Sequence, residues 1–188
     1  MLMHKDDIAR YPRCAALLQR TPGAIKGTRI FDAFIEACTV GEQSDAAKAR
    51  KIAVNEGLRW AAGPMVEPRP GLIKAPALGE ITEACGFFPA FFRPFDRVLV
   101  TDIWFKAYEH GLASDQGAAA ARLVRTTLHE VVHWVREMAG ASDQALVGGL
   151  INGHYEEAGH YFERLAYGAP NVCTDGELLD ARMTTVSP

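Results

Sequence analysis

Two histidines and a glutamate in the second half of the chain have the types and the spacing of a hydrolytic metal site. His129, Glu130 and His133 form the pattern HExxH. Helix positions four residues apart lie about 40° apart on one face, so both imidazoles could bind a single Zn²⁺. The carboxylate of Glu130 could reach a water molecule at the metal and accept its proton. The pattern therefore predicts zinc-dependent hydrolysis.

A zinc hydrolase also needs a third protein ligand and an open fourth position. The candidates downstream are Glu156, Glu157, His160 and Glu163 on the last predicted helix, and Glu177 in the tail. On a helical wheel Glu157 falls at the border of the apolar face, whereas the other three helix residues point away from it. A metal between two packed helices is bound from such a border. We therefore predict Glu157 as the third ligand, with Glu163, His160 and Glu156 as alternatives.

The elements that would carry this site are predicted from patterns on either side of it. The longest helical pattern runs from Ala118 to Met138 and ends at Gly140, with HExxH in its second half. Residues 97–101 are short and rich in β-branched types, which predicts a strand. Asp102 is then expected to be the N-cap of a helix that Gly111 ends.

The rest of the chain is predicted to be helical at both ends and irregular between. Residues 29–40 carry an apolar stripe at helical spacing, and Ser44 begins an alanine-rich helix that Gly63 and Pro64 should end. Prolines and glycines are so dense over residues 63–79 that we expect no regular element there. A polar, glycine-rich loop then precedes the last helix, residues 155–168.

Composition indicates one soluble globular protein. The chain has 188 residues, of which 48% are hydrophobic and 23% are charged. This length can bury a core without metal or disulfide staples. We expect a helical N-terminal region, residues 1–62, and a catalytic region, residues 63–188, that together form one compact domain.

Charge and residue distribution exclude several functions. The net charge of −3 argues against nucleic-acid binding. No apolar run is long enough for a membrane span, and the first residues have charges where a signal peptide needs its apolar stretch. The cysteines form no CxxC pair, which excludes a zinc ribbon. Buried thiols are slightly favoured over disulfides for these four residues, which are Cys14, Cys38, Cys85 and Cys173.

A resemblance to known families rests on HExxH and on the motif downstream of it. HExxH on a long helix with a glutamate on a later helix resembles the zincin metallopeptidases. The order of strand, helix, LVRTTLHEVVHW, loop and ExGxxFExxxYG is similar to small bacterial metallopeptidase toxin domains, including those at the ends of type VI secretion spike proteins. The resemblance covers about residues 97–168. The chain lacks HExxHxxGxxH, since Arg136 and Glu137 come after Trp134, so it is not a metzincin.

The resemblance implies a fold, a cofactor and a set of roles. The fold would be α+β and zincin-like, mostly helical with a small sheet beside the HExxH helix. One Zn²⁺ would be bound by His129, His133 and Glu157, with Glu130 as general base. A donor must also stabilise the oxyanion. Of Tyr155, His160, Tyr161 and Tyr167, which are near in sequence, Tyr167 fits the resemblance best.

The resemblance also implies a biological setting. The protein would hydrolyse peptide bonds in a peptide or protein substrate, as an effector in antagonism between bacteria. It would be cytoplasmic in the producing cell and delivered by a secretion machine to the periplasm of a target cell. A carrier of that machine and a cognate immunity protein would be its partners.

Two other functions remain compatible with the same residues. The metal centre could serve a zinc amidase that cuts peptidoglycan stem peptides. Alternatively, zinc could only staple helices in a non-catalytic interaction domain, with His160 as a fourth ligand that closes the site.

Overall fold

A computed structural model of the protein describes residues 1–41, 45–71, 73–77, 80–84, 86–88, 96–141, 147–151 and 154–169. Within these residues, four helices come first, five strands follow, and the remaining helices and a two-stranded ribbon come after them. The helices are α1 (Lys5–Arg10), α2 (Pro12–Ile25), α3 (Arg29–Thr39), α4 (Ala46–Ile52), α5 (Asp102–His110), α6 (Ala113–Ala139) and α7 (Ala158–Tyr167). The strands are β1 (Met65–Arg69), β2 (Ile73–Ala77), β3 (Glu80–Ala84), β4 (Gly86–Phe87), β5 (Arg97–Thr101), β6 (Val147–Ile151) and β7 (His154–Glu156). None of these helices is both long enough and apolar enough to cross a membrane.

The N-terminal helices α3 and α4 both pack against α6. Helix α3 is predicted by its apolar stripe, and it packs against both α6 and α7. Helix α4 continues into one π-helical turn that ends at Gly57, earlier than the predicted end at Gly63. A side chain at Gly57 would lie only 3.0 Å from Val135 and 3.2 Å from Val131, both on α6. The glycine therefore lets the end of α4 approach the HExxH helix closely.

A small mixed sheet lies beside α6, in the strand order β1-β5-β4. Strand β5 has the bounds that the sequence predicts, and β1 pairs with it in parallel while β4 pairs with it antiparallel. The prediction of no regular element over residues 63–79 was wrong, because β1 and β2 lie there. Pro68 is tolerated because β1 is an edge strand, and Pro76 because β2 belongs to a two-stranded ribbon with β3.

Helices α5 and α6 follow β5 along the chain and pack against each other, and α6 carries the HExxH residues. The cap of α5 is Thr101, whose hydroxyl accepts a hydrogen bond from the amide of Ile103, rather than the predicted Asp102. Helix α6 was predicted from Ala118 but begins earlier, at Ala113. It ends at Gly140, which has the left-handed φ of 87° that favours glycine.

The last helix is shorter than predicted. Residues 154–156 belong to β7, which pairs antiparallel with β6, so the segment before Glu157 is a ribbon rather than a polar loop and a first helical turn. Glu157 has extended backbone angles and is the N-cap of α7. The helix therefore starts three residues late, and its buried face consists of Ala158, Gly159, Phe162 and Glu163.

One hydrophobic core runs from the N-terminal helices through α6 to α7. Its largest buried side chains include Trp104, Phe34, Phe105 and Phe162. The fold is therefore α+β and mostly helical with a small sheet beside the HExxH helix, as predicted. The division into residues 1–62 and 63–188 stays a prediction. Cys14 and Cys38 are buried free thiols, whereas Cys85 and Cys173 lie outside the described residues.

Candidate metal centre

Helix α6 places the two histidines of HExxH side by side. The ring centroids of His129 and His133 are 5.0 Å apart, one helical turn from each other. Leu128, Val131 and Val132 between and beside them are fully buried, so the helix cannot rotate without exposing apolar surface. The core therefore fixes the face on which both imidazoles lie.

Glu157 brings a carboxylate to these rings from the start of α7. Its Oε2 is 2.6 Å from Nε2 of His133, and its Oε1 is 3.4 Å from Nε2 of His129. The same carboxylate accepts hydrogen bonds from the amides of Gly159 (3.0 Å) and His160 (2.5 Å), which are the cap contacts of the helix. The cap holds the side chain in place against the two histidines.

These three side chains have the chemistry and the spacing of a zinc site. One ligand atom from each of His129, His133 and Glu157 can be chosen so that all lie within 4.8 Å of one another. Ligands at about 2.0–2.1 Å from a tetrahedral Zn²⁺ are about 3.3–3.4 Å apart. The two imidazoles and the carboxylate therefore fit the ion after small movements, mainly of the close His133–Glu157 pair. The three residues predicted as ligands are those that the structure brings together.

Glu163 does not point away from the site, so that part of the helical-wheel prediction was wrong. Its side chain is 2% exposed, and its Oε1 is 3.2 Å from Nδ1 of His129. The buried face of α7 lies on the side of Gly159 and Glu163, whereas the apolar residues Tyr161 and Leu165 are only partly buried. The imidazole of His129 therefore has Glu163 at its Nδ1 and Glu157 at its Nε2. In metal sites, a residue that binds the ring nitrogen remote from the metal orients the ring.

Arg125 completes this contact and was missed by the sequence analysis. It lies four residues before His129 on α6, and its Nη2 donates to Oε2 of Glu163 at 3.3 Å. It also donates to the carbonyl of Ala169, beyond the end of α7. A buried carboxylate is costly unless it is paired, and Arg125 supplies the charge. The signal was available in the sequence, since Arg125 precedes His129 by one turn on the same face.

The other two alternative ligands have different partners. Glu156 is buried at the end of β7, and Arg164 binds its carboxylate through Nε and Nη2, at 2.8 Å for the shortest contact. His160 has a side chain that is 46% exposed, and its Nδ1 is 3.1 Å from Oε1 of Glu157. His160 therefore borders the three-residue cluster from the solvent side, whereas Glu156 is held by α7.

Glu130, the predicted base, lies on the sheet side of the cluster. Its side chain is buried, and its Oε1 is 3.9 Å from Nε2 of His129. Strand β4 covers it, since Gly86 lies directly against its carboxylate. The arrangement puts the carboxylate of Glu130 next to Nε2 of His129, the nitrogen that faces Glu157, but outside the group of three candidate ligands.

The charges of the cluster shift the pKa values of its members in opposite directions. Burial alone would lower the pKa of His129, but the carboxylates of Glu157, Glu163 and Glu130 outweigh it and raise this pKa to about 9. Burial would raise the pKa of Glu157, but His129 and His133 hold it well below its usual range. Burial lowers the pKa of His160. A cation bound between these groups would take the place of the protons they share.

The tyrosines considered as oxyanion donors lie at different places. Tyr161 donates its hydroxyl to Glu36 at 2.6 Å, on the side where α3 packs. The ring of Tyr167 packs on Phe162 and under the guanidinium of Arg125, 4.8 Å from its centroid. The side chain of Tyr155 lies outside the described part of the structure. The donor role of Tyr167 stays a prediction.

A long helix with two histidines and a glutamate, a second helix capped by a further glutamate, and a small sheet beside them are the features that the sequence predicts for a metallopeptidase centre. The family model for metallopeptidase toxin 3 matches residues 7–168. The chain belongs to this family of metallopeptidase toxins, in agreement with the resemblance that its sequence motifs carry. No curated protein and no solved structure shows a significant match.

Proposed function

We propose that this protein is a zinc-dependent peptidase whose metal ligands are His129, His133 and Glu157 and whose general base is Glu130. The observation that carries the proposal is the convergence of two imidazoles from α6 and one carboxylate from the N-cap of α7, beside the buried carboxylate of Glu130. Membership in a metallopeptidase toxin family supports the reaction class.

Each side chain has a separate task in this proposal. His129, His133 and Glu157 hold the ion, which when bound would polarise the scissile carbonyl and make water more acidic. Glu130 accepts a proton from the attacking water and returns it to the nitrogen of the leaving amine. Glu163 accepts a hydrogen bond from Nδ1 of His129, which keeps the lone pair of Nε2 directed at the ion.

The number of metal-binding side chains favours a catalytic metal site over a structural one. Within the described ranges, the cluster has three members, and a closed structural zinc site would need four. His160 is a further imidazole beside the cluster, but its side chain is 46% exposed, whereas those of His129 and His133 are 15% and 11% exposed. Three protein ligands leave one coordination position for the substrate or water.

The first test measures metal content and proteolysis together. We expect about one zinc per purified chain and cleavage of an unfolded protein such as reduced casein, both lost in the His129→Ala/His133→Ala double variant. Mass spectrometry of the products locates the cut bonds. Purified peptidoglycan is the second substrate, and its cleavage without any cleavage of protein would replace the peptidase by an amidase. Stoichiometric zinc in the double variant would contradict the ligand assignment.

We further propose that the peptidase acts as an antagonistic effector, for which the toxin family gives the support. Its producer would deliver it through a secretion machine and carry an immunity protein against it. Induced expression in a bacterial host, in the cytoplasm and separately with an added export signal, tests this. We expect growth arrest that depends on Glu130 and on the compartment. Equal growth with wild-type protein and Glu130→Gln in both compartments would contradict toxicity through catalysis.

A further inference from the structure

Two glycines, one in α7 and one in β4, lie directly against the side chains of His129 and Glu130. A Cβ atom at Gly159, in the first turn of α7, would lie less than 3.0 Å from Nε2, Cδ2 and Cε1 of His129. A Cβ atom at Gly86, in β4, would lie less than 3.0 Å from Oε1 and Cγ of Glu130 and from Cγ2 of Thr126. Real Cβ atoms do not come so close to other atoms, so any larger residue at either position must displace its neighbour.

The contact at Gly159 involves the flat face of a ring. The missing Cβ is similarly close to three adjacent ring atoms at once, which is possible only for a point above the ring plane. The backbone of α7 therefore lies on the face of the imidazole of His129, while Glu163 binds its Nδ1 edge. Together these two contacts fix both the tilt and the rotation of the ring.

Neither glycine has a backbone angle that demands glycine. Gly159 lies in a helix, and neither residue has a φ in the left-handed range. Alanine would be a better helix former than glycine at position 159. What requires glycine at these two positions is the space, which the neighbouring His129 and Glu130 fill.

On these grounds we propose that Gly159 and Gly86 are positioning residues with separate tasks, a proposal that rests on the function proposed above. Gly159 lets α7 hold the imidazole of His129 in the orientation that binds the ion. Gly86 lets β4 hold the carboxylate of Glu130 in the orientation that takes the proton. The first should govern metal affinity and the second should govern turnover.

Single alanine substitutions separate these tasks. We expect Gly159→Ala to weaken zinc binding by about 10–100-fold, the range found for residues that orient metal ligands. We expect Gly86→Ala to keep zinc affinity and KM while lowering kcat by about 100-fold, because a shift of about 1 Å can cost that much. The absorption spectrum of the Co²⁺-loaded protein should change for Gly159→Ala and stay unchanged for Gly86→Ala.

Gly117→Ala is the matched control. Gly117 lies on α6, and nothing is within 4 Å of the place where its Cβ would be. This variant should keep zinc affinity, spectrum and kcat. If Gly159→Ala binds zinc as wild type does, or if Gly86→Ala keeps the wild-type kcat, the corresponding task is wrong. A wild-type protein that binds no zinc would instead contradict the proposed function itself.

A double variant keeps the first part testable if Gly159→Ala is poorly folded. In a His129→Ala background the ring is gone, so alanine at 159 should not lower the unfolding temperature, because alanine is the better helix former. The unfolding temperatures of the four metal-free proteins of this cycle give the coupling. An equal loss of stability with and without the ring would show that the contact with His129 is not the cause, and would overturn the assignment.

Discussion

The side chains of the centre come from two elements that position them differently, which we call the α6 wall and the α7 wall. The α6 wall carries His129, Glu130 and His133 on one uninterrupted helix of 27 residues. The α7 wall carries Glu157 outside the helix, as its N-cap, and Glu163 inside the helix, buried against His129. On the first wall one helical repeat positions every side chain, whereas on the second wall the position of Glu157 depends on where the helix starts.

This difference has a physical consequence for how each wall tolerates change. A substitution on α6 removes a group but leaves the helix, because many buried neighbours such as Leu128 and Val132 hold it. A substitution at Glu157 removes a ligand and at the same time the acceptor that fixes the first turn of α7. The α7 wall therefore couples metal binding to local folding more tightly than the α6 wall does.

The largest expected effect comes from this coupling at Glu157. Glu157→Ala should abolish activity and lower zinc affinity sharply. It should also destabilise the metal-free protein by about 1 kcal/mol more than Glu157→Ser does, because only the alanine loses the N-cap in addition to the contacts with the two histidines. Glu157→Ser should lose zinc and activity equally but keep the cap, because a serine hydroxyl can accept from the same amides. Zinc titration and urea unfolding of the metal-free variants separate the two losses.

Glu156→Gln is the control for this pair, since Arg164 and not the cluster binds that carboxylate. It should keep zinc. If Glu157→Ala kept its zinc and Glu156→Gln or Glu163→Gln lost it, the ligand on the α7 wall would be another residue.

The sequence predicts the α6 wall better than the α7 wall for a reason visible in particular residues. The stripe around Leu128, Val131 and Val135 repeats at helical spacing over several turns, so helix and phase are both determined locally. At the start of α7, Glu157 continues the helical pattern, but the pairing of β7 with β6 ends it first. Pairing between strands is not encoded in a short helical window, so the local pattern extends the helix too far toward the N-terminus. It places Glu163 facing solvent for another reason: the apolar stripe puts Tyr161 and Leu165 on the buried face, whereas both are only partly buried and Glu163 is buried.

The strands of the sheet could likewise be predicted only in part from the local sequence. Strand β5 is recognisable from its β-branched residues, whereas β1 contains Pro68 and lies in a segment that looks irregular. It becomes a strand because β5 offers it a partner, with Val66 beside Val98 and both fully buried. Partners in space, rather than local preference, decide such elements.

The next effect tests the α6 wall alone. Glu130→Gln should lower kcat by about 10²–10⁴-fold, because the amide cannot accept the proton, while zinc content and unfolding temperature stay close to wild type. Glu56→Gln, a change at an exposed glutamate on the π-helical turn, should leave all three unchanged. Single-turnover cleavage of a fluorogenic peptide measures the rate. A wild-type rate in Glu130→Gln would exclude it as the base.

A smaller effect is expected where the two walls touch. Glu163→Gln should weaken zinc binding by about 10–100-fold, because the amide orients His129 less firmly than a carboxylate does. The carboxylate of Glu163 helps to raise the pKa of His129, so this pKa should fall from its wild-type value of about 9 in the metal-free variant. An NMR titration of the imidazole measures the direction. An unchanged zinc affinity together with an unchanged pKa would mean that Glu163 only packs.

The smallest effect is expected at the far end of the α7 wall. Tyr167 lies ten residues after Glu157, about 15 Å along the helix axis, and its ring packs on Arg125 and Phe162. Tyr167→Phe keeps the ring and removes the hydroxyl, so it tests the oxyanion-donor role that the resemblance implies. Because the structure shows only packing contacts of the ring, we expect kcat and KM to stay at their wild-type values, against that role. Tyr167→Ala also removes the ring from Arg125, so its zinc affinity should fall, but by less than that of Glu163→Gln. Loss of an oxyanion donor costs about 10²–10³-fold in kcat. A loss of that size in Tyr167→Phe, with zinc retained, would place the hydroxyl at the substrate and require α7 to move when substrate binds.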